Sequence, residues 1–171
     1  MFFVSAKHDL AVAQIPKCGI QTFQEWLGKD FEVVANDAPV LGDISRRVAF
    51  IRHPLERLKS CYSFFYWMND YGHTSKNKVN TTSWREFVDQ VLSDKPDNEH
   101  WLSQSEHIGS VPNIVHRFED FSKHWETYRK GIMPWNNKSS RLPTFPYRTA
   151  KLVAKYSDDF ALWEDAEWRG Q

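Results

Sequence analysis

Apolar residues come in short runs separated by stretches of longer period. Residues 10–15 (LAVAQI) form an apolar run closed by Pro16, the pattern of a buried strand. Over residues 22–27 the period lengthens, and Phe23, Trp26 and Leu27 recur at the spacing of one helical face. Residues 31–35 predict a second strand, residues 36–43, punctuated by Pro39 and Gly42, a loop, and residues 48–51 a clearer strand. Pro54 suits the first turn of a helix that carries Leu55, Leu58, Tyr62, Phe65 and Tyr66 at helical spacing. The polar stretch 71–82 (YGHTSKNKVNTT) reads as a lid-like loop opening onto a capped helix over 83–92. Residues 113–118 predict another strand and 121–129 a helix, and 146–156 a C-terminal helix with Tyr147, Ala150, Leu152 and Val153 on its apolar side. Strands alternating with helices predict an α/β fold: an open, mainly parallel sheet flanked by helices on both faces. In such sheets ligands sit beyond the carboxyl ends of the strands.

Composition narrows the partners. A chain of 171 residues fits one domain, taken here as 1–171. Lys+Arg and Asp+Glu stand at 22 each, so any anion site has to be local, and a nucleic-acid partner is not expected. The two cysteines, Cys18 and Cys61, argue against a disulfide framework and against a four-ligand zinc site. The apolar start, Met1 to Val4, is far too short for a signal core or a membrane span, and no later run approaches the length of a membrane helix, so a soluble, cytoplasmic protein without a membrane partner is expected. Eight Trp and twelve Phe point to a core built from rings, some of them lining a cleft.

Two segments carry chemistry. Pro16-Lys17-Cys18-Gly19-Ile20-Gln21-Thr22-Phe23 lies between a strand and a helix, where unpaired backbone N–H groups and the helix dipole favour an anion. Lys17 adds a point charge, Gly19 permits close backbone approach, and Thr22 offers a hydroxyl. By itself Pro-Lys-x-Gly is equally compatible with an ordinary turn carrying a solvated lysine, and the Walker pattern is absent. In the second segment, Arg52 follows a strand directly and Ser60 stands eight residues later in a helix, with Arg57 on nearly the same face. A guanidinium fork and a hydroxyl suit a phosphate monoester, although a plain helix surface explains Arg57 and Ser60 as well.

Together the two segments resemble those of the sulfotransferase superfamily, which uses 3′-phosphoadenosine 5′-phosphosulfate (PAPS). The Pro16 to Phe23 loop resembles its 5′-phosphosulfate loop, and Arg52 with Ser60 its 3′-phosphate motif. Arg117-Phe118-Glu119-Asp120 resembles a strand-end signature of the family. Asn137-Lys138-Ser139-Ser140-Arg141 and Tyr156-Ser157-Asp158-Asp159-Phe160 resemble the C-terminal stretch of its carbohydrate-acting branch. The resemblance implies a P-loop-like fold and in-line sulfuryl transfer to a carbohydrate or small-molecule acceptor, with adenosine 3′,5′-bisphosphate as product and no metal. It assigns Lys17 to the 5′-phosphate and leaving group, Cys18, Gly19, Ile20, Gln21 and Thr22 to the 5′ cradle, Arg52 and Ser60 to the 3′-phosphate, and Lys138 and Arg141 to a loop folding over the nucleotide.

Some positions depart from that pattern. Gln21 precedes Thr22 where two hydroxyl residues are common, and His53 stands where Asp or Asn is common and reads as structural. Cys18, in an anion cradle, is expected to have a lowered thiol pKa. Family members place the base for the acceptor hydroxyl between the two phosphate motifs, where this chain has no histidine, so Asp43 is the first candidate and Asp37 the second. His100 and His107 are the alternatives from the acceptor side. Two other functions stay open: a non-catalytic relative that binds the sulfonucleotide or a glycan, and a P-loop nucleotide or sugar kinase. The acceptor and the oligomeric state are not legible.

Overall fold

The computed structural model describes residues 1–27, 30–70, 83–93, 98–128 and 144–166. Among them are five strands, β1 (Phe2–Ser5), β2 (Leu10–Ala13), β3 (Glu32–Val34), β4 (Arg46–Ile51) and β5 (Ile114–Arg117). Seven helices accompany them: α1 (Ile20–Leu27), α2 (Pro54–Asp70), α3 (Trp84–Val91), α4 (Gln104–Ile108), α5 (Phe121–Tyr128), α6 (Thr149–Lys155) and α7 (Ser157–Asp165). The strands form one sheet in the order β3-β1-β2-β4-β5. β2, β4 and β5 pair in parallel, whereas β1 pairs antiparallel with both β2 and β3. The sheet is therefore mixed, with four strands running one way and β1 alone running against them. The departure comes from β1, an apolar start that the sequence pattern had left unassigned: Asp9 takes a left-handed conformation after the short turn Ala6–His8 and folds β1 back on β2.

Side chains alternate across the sheet as a pleated backbone requires. Phe2, Val4, Ala11, Ala13, Ala49, Ile51 and Val115 pack on one face with Leu41, Ile44, Ile108 and Ala166. Phe3, Leu10, Val12, Val48 and Phe50 pack on the other with Phe23 of α1 and Phe121 of α5. A third cluster joins α2, α3 and α6 through Leu58, Tyr62, Phe65, Phe87, Trp101 and Leu152. Tyr62 and Phe65 are core residues there, so these rings serve packing.

Two helical boundaries differ from the sequence expectation. The C-terminal helix begins at Thr149 and gives way at Tyr156 to a second helix, α7, and Ala150 and Val153 are exposed rather than on its packed side. The helix near residue 83 is capped as expected, with the Ser83 side chain accepting from the Glu86 N–H. The polar loop 71–82 lies outside the described residues.

Candidate active site

The loop after β2 turns sharply. The Cys18 N–H returns to the Ile15 carbonyl at 3.1 Å, and Phe23 makes its helical bond to the Gly19 carbonyl at 3.2 Å. Lys17 and Gly19 both have positive φ, 69° and 85°. Such left-handed residues curl a chain so that successive N–H groups converge on one point, here at the first turn of α1. Gly19 is required on two grounds: its φ suits glycine, and a Cβ would lie 3.1 Å from Phe118 Cε2. Gly19→Ala is expected to cost about 1 kcal/mol of stability after its gain in the unfolded chain is subtracted. Urea unfolding measures this, and an unchanged midpoint would contradict the backbone assigned to the loop.

Lys17 has no such excuse for its left-handed conformation, and three neighbours hold it. Arg57, buried to 1% exposure, donates from Nε to the Pro16 carbonyl at 3.1 Å. Its other nitrogens reach the Leu102 carbonyl at 2.8 Å and the His100 carbonyl at 3.1 Å. Arg57 thus spends its fork on backbone, tying the loop to the segment before α4, and is not part of a phosphate-facing surface. Arg52 Nη1 lies 3.4 Å from the Lys17 carbonyl. The Cys18 thiol, finally, is buried and donates to Gln104 Oε1 at 3.4 Å.

Gln104 is a residue that the sequence did not single out. It is fully buried, and its amide grips both backbone groups of Arg52: Oε1 accepts the Arg52 N–H and Nε2 donates to the Arg52 carbonyl, each at 2.8 Å. One side chain therefore touches the loop and the Arg52 segment together. Its own helix is fixed from α7, where the buried Asp159 carboxylate accepts the N–H groups of Gln104 and Ser105 at 2.8 and 2.9 Å. The Ser103–Glu106 capping box was the available sequence signal for α4. No local signal marks a cap supplied by Asp159, which is distant in the chain.

Arg52 and Lys17 stand together as cations. The Arg52 guanidinium lies over the Phe118 ring, 5.4 Å from its centroid, and Lys17 Nζ lies 4.0 Å over the centroid of Phe64. Among the described residues no carboxylate pairs with either. Burial pushes the Lys17 ammonium below its ordinary pKa, and the charge of Arg52 pushes the same way. Two neighbouring cations beside a helix N-terminus favour an anion between them. Ser60 lies on α2 between two residues that touch the loop: Arg57, Ser60 and Phe64 fall on one stripe of the helix, Arg57 bonding the Pro16 carbonyl and Phe64 lying under Lys17 Nζ.

The remaining assigned residues divide. Thr22 is buried at the first turn of α1, Ile20 is half-buried and Gln21 is exposed. Lys138 and Arg141 lie outside the described residues. Cys18 corrects the expectation of a lowered thiol pKa, because burial outweighs the nearby arginines and pushes it up to about 12. His53 is structural: its N–H bonds Glu119 Oε1 at 3.0 Å, and its ring packs edge-on against Phe160 and Trp163. In the segment 117–120, Arg117 holds the Trp163 carbonyl at the end of α7, Phe118 underlies Gly19 and Arg52, and Glu119 braces His53.

Neither carboxylate proposed as base is brought to Lys17. Leu10 pairs with Arg46, so the N-terminal end of β4 lies beside the start of β2, and Asp43, three residues earlier, stands at the end of β4 opposite Arg52. There Ser45 is bonded to Asp9 in the β1–β2 turn. Asp37 does lie towards the right end, since Val34 and Ala13 both pair with Phe2, but it follows the outer strand, about 10 Å across the sheet from β2. A separate cavity of about 340 Å³ is lined by Ser103, Ser105, Glu106, Lys155, Tyr156, Asp158 and Asp159 and touches neither Lys17 nor Arg52.

The family model described as "Sulfotransferase family" matches residues 1–155. The chain belongs to the sulfotransferase family. No curated protein and no solved structure gives a significant match. The family's members are PAPS-dependent enzymes, and the matched segment of this sulfotransferase contains the loop at Lys17, Arg52, Ser60 and Gln104. α7 follows the matched segment, yet its Asp159 holds α4 in place.

Proposed function

We propose that this sulfotransferase moves a sulfuryl group from PAPS to a carbohydrate hydroxyl by in-line displacement, on a P-loop-like strand-loop-helix unit. The observation that carries the reading is the pair of cations, Lys17 and Arg52, set side by side at the first turn of α1 without a carboxylate partner among the described residues. Lys17 would hold the 5′-phosphate and neutralise charge on the departing oxygen, and the N–H groups of residues 18–22 with the Thr22 hydroxyl would cradle the same end. Arg52 and Ser60 would take the 3′-phosphate, and Lys138 and Arg141 would close over the nucleotide. Positioning and donors carry such a transfer, and no metal is required in this reading. The likeness of Asn137 to Arg141 and of Tyr156 to Phe160 to the carbohydrate-acting branch supports the acceptor class.

Incubation with ³⁵S-labelled PAPS and a panel of chemically desulfated chondroitin, desulfated heparan and 4-nitrophenol tests this. Label on a polysaccharide supports the full reading, and label only on the phenol would correct the acceptor. Tight binding of adenosine 3′,5′-bisphosphate without any transfer would mark a binding relative, and magnesium-dependent consumption of ATP a kinase.

A further inference from the structure

We infer that His100 takes the proton of the acceptor hydroxyl during transfer. The inference rests on the sulfuryl-transfer reading and supplies the base that Asp43 and Asp37 are not positioned to provide.

The argument begins with Asn98. Its Oδ1 lies 3.0 Å from the His100 backbone N–H and 3.0 Å from His100 Nδ1. An atom that accepts a backbone N–H is the amide oxygen, so Nδ1 must be the protonated ring nitrogen. Nε2 then carries the lone pair, and no hydrogen bond from a described residue reaches it. The side chain keeps 23% of its surface exposed, enough for contact with a bound molecule. His107 differs, because its Nε2 is taken by the Glu99 carbonyl at 2.8 Å.

Position favours the same residue. The His100 ring stacks on Phe64 with centroids 5.5 Å apart and planes 16° apart, and Phe65 closes its edge. Phe64 is the ring over which Lys17 Nζ sits. The cation assigned to the leaving oxygen and the imidazole thus both pack on the ring of Phe64. In-line transfer places incoming and leaving oxygens on opposite sides of sulfur, so the base has to stand apart from Lys17 but near it. The backbone is fixed as well, since the His100 carbonyl accepts from Arg57 Nη2 and from the Cys61 thiol.

As the acceptor oxygen bonds to sulfur, its proton passes to Nε2. The bond between sulfur and the 5′-phosphate oxygen breaks, and its electron pair stays on that oxygen beside Lys17. His100 leaves the step as imidazolium and returns the proton to solvent. Burial, with Lys17 and Arg57 nearby, holds its pKa below the ordinary 6.5 despite the opposing Glu99, so the ring is neutral at pH 7. Cys61 faces it only as a neutral buried thiol, its pKa raised by burial.

The test compares wild type, His100→Ala and His100→Gln for ³⁵S transfer from PAPS to desulfated chondroitin across pH, with adenosine 3′,5′-bisphosphate affinity measured by calorimetry. Turnover should fall about 100-fold or more in both variants. The loss of rate at acid pH expected of wild type should vanish in the variants, and nucleotide affinity should stay within about twofold. Wild-type transfer matched by the variants, or an acid limb that persists in them, would overturn the assignment alone. A parallel loss of nucleotide affinity would mark a structural residue and overturn it too. A wild type that transfers nothing to any acceptor of the panel would remove the functional reading and this one with it. ¹⁵N spectra of the ring should show Nδ1 protonated and Nε2 bare, and the opposite tautomer would overturn the assignment even for variants that fold poorly.

Discussion

Arg57→Ala is expected to destabilise the protein by about 4 kcal/mol, a large share of the total stability of a domain this size. Three backbone carbonyls, at Pro16, His100 and Leu102, lose a charged donor at once, and the side chain that bridges them is buried to 1% exposure. Water does not readily replace a planar fork in a packed interior. Arg57→Lys should recover only part of the loss, because an ammonium cannot span three carbonyls in one plane. Thermal unfolding should show the alanine variant lowered by about 10 °C. A shift of less than about 2 °C, equivalent to under 1 kcal/mol, would mean that the guanidinium is solvated rather than bonded as described.

Lys17→Ala should lower turnover by a factor of about 100 to 1,000 while costing little stability. In the proposed reaction the ammonium neutralises charge that develops on the leaving oxygen, and removing such a donor raises the barrier more than it weakens ground-state binding. Stability should hold because Lys17 makes no ion pair with any described residue. The pH dependence follows from the same burial. Its pKa is depressed from 10.5, so the cation is lost, and the rate with it, as pH rises through a value below 10.5. Wild-type turnover should therefore decline on the alkaline side, and Lys17→Arg should extend the active range upward. Turnover in Lys17→Ala within threefold of wild type would remove Lys17 from the reaction.

The loop, the Arg52 segment and most strands were legible because each rests on local chemistry. An apolar run closed by Pro16, a glycine at a position of positive φ, and a proline at the first turn of α2 leave marks within a few residues. β1 was missed because an apolar tetrapeptide at the chain start has no flank to define it, and its pairing is set by a left-handed Asp9. Its antiparallel course is also why the sheet is mixed. Arg57 and Ser60 looked alike in the sequence, both polar on one helix stripe, and only burial separates the fully buried structural arginine from the half-buried serine. Gln104 was invisible, and the capping role of Asp159 within its recognised stretch was too, for another reason: their partners lie 52 and 55 residues away, and no local pattern announces such contacts. Asp43 looked well placed by chain distance from Lys17, but chain distance says nothing of which end of β4 a residue reaches.

Calorimetric titration with adenosine 3′,5′-bisphosphate and with adenosine 5′-monophosphate tests most directly whether one nucleotide spans the corner at Lys17 and the corner at Arg52. Wild type should bind one bisphosphate per chain, and Arg52→Ala should weaken it by about 2–3 kcal/mol, or roughly 30- to 150-fold, through loss of charge-assisted hydrogen bonds to the 3′-phosphate. The monophosphate, lacking that group, should bind the two proteins with nearly the same affinity. Equal bisphosphate affinity in wild type and Arg52→Ala, or an equal loss for both nucleotides, would contradict the account.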